Sequence, residues 1–546
     1  MRFTYCLIAY VALTIFGGAY GSELKIISSA KSETIFPMNQ SFGESHFIRN
    51  LVLPPLIAVG SDERWTCVVC ESIPSFATNT LRYVGTPKEI KQKKKLKSSW
   101  RIRSEYFWND GMPLTGYDVK FTLQRMQNRG VAALSKMRIE VDPNDPRRFS
   151  VIINDSKAHY YQLLAISLLP HRKPRFLDRI HGEKDGFKIL KNSSGLYYGA
   201  YQIDYIADDH LQLVLNQSFK GRRGQFKRLK IFAASTLNEI EKLSKQQDID
   251  LIADGTLSAD NSLKLLKREN FSDWHILHSE DDRVEFLKVN LKNPYLSDRN
   301  IRRALLLGID HDKLIANTQS NFAKKPSMPP FFPRLSDVTS VRSNTSKAKK
   351  LLAQSGWEGD EGKIKEKNNI PLKLDLVFFD QNDKAILAQE IKTQLKEIGV
   401  FIKLKPIQNP KTFYEKFLKR GLYKDLILIS TKTYPDMDLS PLYHSRAIPS
   451  ERNHFSGYNF GFLQNKRSND TLDKLEYEFD FVERQKLKED FAEMYQDFVP
   501  AIPLLIRPRV ALVKSQNISL GFAGRGYHLS LKPENWARTK PKKSLF

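Results

Sequence analysis

The chain has 546 residues, 41% of them apolar and 11% aromatic, which excludes a disordered or low-complexity protein. At roughly 150 residues per domain it can hold two to four structural units, each with its own core. Its 86 Lys and Arg against 61 Asp and Glu give a formal charge of +25, compatible with nucleic acid, an anionic membrane face or an acidic ligand. An export signal argues against most nucleic-acid roles, so a solvated basic surface is the preferred reading.

That signal occupies residues 1–21. Arg2 gives a short basic start, Phe3 to Phe16 are almost wholly apolar, and Ala19-Tyr20-Gly21 supplies the small-x-small pattern that places cleavage before Ser22. The stretch is marginal as a membrane anchor, which needs about 20 apolar residues. Cys6 comes too early to be a lipoprotein acceptor. No later segment has an apolar run of spanning length, so the mature chain is expected to be soluble and periplasmic or otherwise extracytoplasmic.

Two further cysteines, Cys67 and Cys70, are spaced C-x-x-C. A metal site would want a second pair or nearby histidines, and none follows at ligand spacing. Trp65-Thr66-Cys67-Val68-Val69-Cys70 lacks the strand-to-helix setting of a redox-active pair. In an oxidising compartment a small structural disulfide is the favoured reading. The basic run from Lys91 to Lys97 reads as a solvated loop before the next strand.

Residues 22–290 are rich in short alternating segments such as Tyr201-Gln202-Ile203-Asp204 and Leu211 to Leu215, which read as strands. His275 and His278, followed by Glu280, Asp281 and Asp282, would suit a metal only on a helix; ordinary surface histidines are preferred. Lys325 to Pro330 reads as an extended loop. Ser346 to Ser355 forms a short helix with Ala348, Leu351 and Leu352 inward and Gly356 at its end. Leu372 to Phe379 is a strand, and residues 385–398 place Leu387, Ile391, Leu395 and Ile398 on one helical stripe closed by Gly399. Val400 to Lys405 is again a strand. This βαβ unit implies parallel pairing, and ligands collect beyond the carboxyl ends of such strands. Thr471 to Phe498 reads as one long helical stretch with Leu472, Leu475, Phe479 and Val482 on one face, stopped by Pro500 and Pro503 before a strand at Leu504 to Ile506.

No nucleophile elbow, H-E-x-x-H or P-loop is present, and Gly521 to Gly526 has the wrong glycine order for a dinucleotide fingerprint. No catalytic residue, metal or cofactor is therefore assigned, and the chain is not expected to be an enzyme.

Several segments, read in order, carry a resemblance. Trp108-Asn109-Asp110-Gly111, Pro113-Leu114-Thr115 and Asp118-Val119 follow a strand around Trp100 to Arg103. Asp110-Gly111 suits a turn, Thr115 a helix N-cap and Asp118 a first helical turn, with Gly116 where alanine is usual. Further segments are Tyr198-Gly199-Ala200-Tyr201, the stretch with Asn290, Asp298, Arg302, Arg303, Ala304 and Asp310, Lys347 to Trp357, Asp425, Tyr434-Pro435-Asp436, Asn459 and Pro500 to Pro503. Together they resemble extracellular solute-binding proteins of family 5, the oligopeptide- and dipeptide-binding proteins of ABC importers. The segment from Ile57 to Trp100 and the surroundings of Asn216 depart from the family pattern, which makes this a divergent member.

The resemblance implies an α/β, two-lobed periplasmic-binding-protein fold of type II with a hinge between lobes. Lobe I would span 22–282 with an added subdomain at about 56–189, lobe II 283–505, and 506–546 would return to lobe I. The function implied is capture of a peptide or similar small ligand by a monomer, without nucleic acid, for delivery to an ABC permease. The alternatives are the same fold carrying a nickel chelate, haem or oligosaccharide, or an exported receptor or enzyme. For a peptide amino end the resemblance points to Asp436 first and Asp438 second. Tyr434, Tyr443 and Tyr458 are pocket-wall candidates, and Arg446 is a candidate for a ligand carboxylate.

Overall fold

The structure, a computed structural model, describes residues 23–29, 46–60, 62, 64–93, 95–128, 134–173, 195–319, 322–332, 342–360, 363–514, 518–521 and 528–538. The expected leader at 1–21 and most of the Gly521 to Gly526 segment lie outside the described residues.

A ten-stranded mixed sheet runs through the molecule in the order Phe401–Ile407, Lys373–Phe379, Leu426–Lys432, His275–Val289, Ala501–Val513, Leu251–Ile252, Glu23–Ser28, Arg228–Ala233, His210–Leu215, Tyr201–Ile206. Its two longest strands, His275–Val289 and Ala501–Val513, pair antiparallel at its centre. Their register shifts between Glu280 and Val284 and again between Glu285 and Phe286. Pro508 and Pro503 sit beside these shifts, where a missing N–H does least harm to the ladder. The strand thus begins at Ala501 and runs through Pro503, not from Leu504 as the prolines suggested.

The cores divide at the same place. Buried apolar residues from Val284 to Ile506 form one core. Those before Val284 and after Ile506 form two others, one around Leu24, Trp108 and Trp536 and a smaller one around Ile27 and Trp274.

In the Val284–Ile506 body the βαβ unit is present as expected. Lys373–Phe379 and Phe401–Ile407 pair in parallel, joined by the helix Asn382–Glu397. Leu387, Ile391, Leu395 and Ile398 form its buried stripe, and Gly399 takes the left-handed conformation (φ +84) that ends it. Leu426–Lys432 pairs in parallel with Lys373–Phe379, so its carboxyl end faces the same way and delivers residues 433–438 to the rim of the sheet.

The expected long helix is two: Lys466–Tyr477 and Phe481–Phe498. Glu478 is extended, its carboxylate accepts the backbone N–H groups of Phe479 and Asp480, and the Asp480 carboxylate caps the second helix at Val482 and Glu483. Local side-chain acceptors broke a period that the apolar spacing left unbroken.

A separate four-stranded antiparallel sheet, Leu81–Tyr83, Leu96–Arg101, Arg148–Ile153 and Met137–Val141, lies in the stretch expected to form an added subdomain. Beside it the helix Gly116–Asn128 is tied down by Asp118 rather than by Thr115 as cap. The fully buried Asp118 carboxylate accepts the Thr115 N–H and hydroxyl, Trp108 Nε1 and the His171 N–H. Gly116 has a packing reason: a Cβ there would lie 2.7 Å from Cβ of Phe149.

Where the cores meet, Glu285 is fully buried between Lys384 and Arg507 and accepts a hydrogen bond from Ser430 at 2.8 Å. Arg507 also pairs with Asp383. Burial pushes the Glu285 carboxyl up, but the two cations outweigh it and bring it down from 4.5 to about 2. Its contribution is therefore complete above pH 4.5 and lost as pH falls toward 2. Glu285→Gln would leave two cations short of an anion and should cost about 3–5 kcal/mol, read by urea unfolding at pH 7. An unchanged midpoint would show that the cluster does not hold this junction.

Candidate functional site

The segment that follows Leu426–Lys432 meets the smaller sheet's body across a cleft. Asp436 stands there in the left-handed region (φ +54), a conformation that aspartate tolerates better than most residues. Its carboxylate pairs with Arg484 at 2.6 Å and Lys488 at 2.8 Å, both on the helix Phe481–Phe498. From the opposite side Tyr161 donates its hydroxyl to Asp436 Oδ2 at 3.1 Å, and Gln162 Nε2 donates to the Asp436 carbonyl at 2.6 Å. His159 Nδ1 faces the same carbonyl at 2.7 Å. Burial holds the His159 ring below its ordinary pKa despite nearby Asp436, so it is neutral at pH 7 and donates from Nδ1. Burial also works against the Asp436 carboxyl, but Arg484 and Lys488 outweigh it and hold the group well below the usual carboxylate range.

Trp65 adds a third strut, donating Nε1 to the Pro435 carbonyl at 2.7 Å and lying edge-on to Tyr161 and Tyr434. The hairpin strand Trp65–Cys67 presents it, and a disulfide joins Cys67 to Cys70 behind it. Further along, Glu476 pairs with Lys157 across the cleft and with Arg446 at 2.6 Å on its own side. The contact surrounds a cavity of about 600 Å³ whose walls come from both bodies: residues 73–161 on one side, and Asp436, residues 478–481 and Arg484 on the other. That volume is in the range of small-molecule sites.

The sequence-predicted residues divide accordingly. Asp436 lines the cavity, and Tyr434 stands beside Trp65, its hydroxyl pushed up to about 12 by burial and by Asp438. Asp438 is half-buried nearby, one oxygen accepting the Ser440 N–H at 2.9 Å, with no ion pair among the described residues; neither it nor Tyr434 lines the cavity. Arg446 is held by Asp473 and Glu476 and does not line the cavity. Tyr458 is 47% exposed against Phe460, away from it. Tyr443 is 2% exposed in the core of the Val284–Ile506 body, its hydroxyl taken by Lys288 and Tyr495. Its spacing from the Asp436 loop suggested the cleft, but the short helix Ser440–Tyr443 turns it inward.

Sequence reasoning missed Trp65, His159, Tyr161, Gln162, Arg484 and Lys488. Trp65 was signalled only by adjacency to the cysteines. Arg484 and Lys488 looked like the polar face of a helix. His275 and His278, read as surface histidines, belong to a strand, where three-residue spacing sends side chains to opposite faces.

Residues 91–448 match the family model of bacterial extracellular solute-binding proteins, family 5 (middle). The chain belongs to this family. The periplasmic oligopeptide-binding protein OppA of Escherichia coli is 22% identical over 360 residues, 58% of this chain and 61% of that one. The chain thus matches about three fifths of the length of such curated relatives. Among solved structures, NikA from Brucella suis in complex with Fe(III)-EDTA superposes with a TM-score of 0.72 at 18% identity, covering 95% of this chain and 100% of that one. AppA from Bacillus subtilis in complex with a nonapeptide gives 0.64 at 16% identity, covering 95% and 99%. The family 5 fold is two-lobed, and this chain shares it. Among the described residues, no helix is long and apolar enough to cross a membrane.

Lys288, which donates to the Tyr443 hydroxyl, is itself 2% exposed, and burial brings its pKa down to about 7. It is neutral when folded and charged when unfolded between pH 7 and 10.5, so stability should rise with pH there, at up to about 1.4 kcal/mol per unit. Lys288→Met should flatten that slope in chemical denaturation across pH 7–10; an unaltered slope would assign it to another group.

Proposed function

We propose that this chain is the substrate-binding subunit of an ABC-type importer, capturing a peptide between two closing lobes and delivering it to a membrane permease. The observation that carries this reading is a ligand-sized cavity whose walls come from both bodies, at the rim of a family 5 fold. A ligand there touches both walls at once and favours the closed arrangement over the open one. On this reading the protein is exported by its leader and works as a monomer outside the cytoplasm. It catalyses no reaction. The lobes divide near residues 283 and 506, where the strand register shifts and the cores change.

The ligand's amino end is assigned to Asp438, which follows Asp436 on the same loop, just beyond the residues that line the cavity. Asp436 is already satisfied by Arg484 and Lys488, whereas Asp438 keeps an oxygen without a partner among the described residues. Tyr434 on the same loop packs edge-on against Trp65, and the disulfide of Cys67 and Cys70 stiffens the Trp65 hairpin.

The pairing of Asp436 also favours a second reading, a non-peptide ligand such as a metal chelate, because the first-choice carboxylate is not free for an amine. Solved relatives include NikZ from Campylobacter jejuni with Ni(L-His) as well as the peptide-bound AppA. Native mass spectrometry of protein purified from its own host separates the two. Co-purified peptide supports the first reading, and a metal complex without peptide overturns it.

Calorimetry on variants then tests the assignment within the peptide reading. Asp438→Asn should weaken peptides with a free amino end about tenfold and leave N-acetylated ones unaltered. Asp436→Asn should weaken both alike, since it leaves Arg484 and Lys488 short of an anion at the lobe contact. The reverse pattern would return the amine to Asp436.

A further inference from the structure

The cavity has two unlike ends. One carries the Asp436–Arg484 ion pair and the Tyr161 hydroxyl. The other is apolar: Ile73, Phe76, Leu81 and Tyr83 from one body face Phe479 and Phe481 from the other. Phe76 and Tyr83 lie 5.3 Å apart, and Phe479 meets them edge-on at 5.4 and 6.3 Å. These three rings by themselves are adequate as a contact between lobes.

Phe481 is not accounted for in that way. It lines the cavity yet is 79% exposed, and Val482 beside it is 57% exposed. Phe481 has no ring partner among the described residues, and it is not needed to start its helix, which the Asp480 carboxylate caps. A large aromatic side chain left in water at the mouth of an aromatic-lined cavity is apolar surface with nothing yet to cover it.

We infer that this aromatic end is a subsite for a bulky apolar group of the ligand, so that peptides carrying an aromatic or long aliphatic side chain are selected over small-residue peptides. The inference rests on the binding role proposed above and adds a ligand class to it. The apolar group would lie against the side that Phe76, Tyr83 and Phe479 turn to the cavity and be covered by Phe481, while the polar end of the cavity holds the backbone. Because its walls belong to different lobes, filling the subsite also strengthens closure.

Calorimetry with tri- and pentapeptides, all alanine or with one phenylalanine moved through each position, tests the selection. At least one position should favour phenylalanine by about tenfold or more, as one large group in an apolar pocket does. Phe481→Ser should reduce that preference to less than about threefold, weakening the phenylalanine peptide more than the alanine peptide, whereas a ring needed only for folding would lower both alike and keep the preference. A non-peptide probe, anilinonaphthalene sulfonate, is titrated into the same proteins, and its fluorescence gain should fall severalfold in Phe481→Ser. Equal binding of alanine and phenylalanine peptides overturns the subsite and leaves peptide binding intact. Binding of neither peptide, with probe binding that depends on Phe481, overturns peptide binding and keeps the subsite. Probe and peptide binding indifferent to Phe481, or no binding of either, overturns the subsite.

Discussion

The antiparallel pairing of His275–Val289 with Ala501–Val513 is the constraint on which the rest of the molecule hangs, because it alone carries the large sheet from one core into the next. Ala501–Val513 is buried on either side of the junction and His275–Val289 from Val284 onward, but both strands carry charges where the register shifts. Asp281 meets Arg283 and Arg509, and Glu285 meets Lys384 and Arg507. Charges removed from water must be compensated on the spot, and a regular ladder of apolar side chains offers no compensation. The paired charges therefore fix where the ladder is interrupted, and the prolines at 503 and 508 reinforce the place by withholding backbone donors.

That junction decides what faces the cleft. With the parallel strands of the Val284–Ile506 body all ending toward it, the loop after Lys432 emerges at the rim and brings Tyr434 to Asp438 with it. The opposite wall is built on a small hairpin and a short 3₁₀ turn, Tyr160–Leu164, elements with little core of their own. Their rigidity comes from covalent and hydrogen-bonded restraints: the Cys67–Cys70 bond behind Trp65, and the grip of Gln162 and His159 on one carbonyl.

Much of the fold was legible because it obeys local rules. The βαβ unit announced itself by period and by a closing glycine, and the family resemblance rested on residues that prove architectural. Arg302 is buried with its guanidinium on the carbonyls of Leu296, Ser297 and Phe498, Asp425 accepts the Asn293 amide and the Asp375 N–H, and Asn459 closes its own loop on Leu463. Such residues identify a scaffold without touching a ligand, which is why they revealed family and fold while leaving the ligand open. The site was legible only in part, since its key contacts join residues 65–162 to residues 434–488. No spacing rule connects those stretches, and only the folded chain puts Arg484 beside Asp436. Tyr443 shows the converse: close in sequence to the cleft, it is turned into the core by a single short helix.

The ion pairing of Asp436 bears on how a ligand would be held. A carboxylate gripped by two cations and a phenol has little left to offer an incoming ammonium, and stripping Arg484 or Lys488 from it would cost several kcal/mol. Recognition that needed that exchange would spend on desolvation what it gained in Coulomb energy. Apolar area carries no such penalty, and the rings that face the other end of the cavity need no partner to be exchanged. Within this cleft the charged end acts as a fixed strut that aligns the two walls. The variable part of the binding energy then falls to surfaces still in contact with water, of which Phe481 is the largest aromatic one lining the cavity.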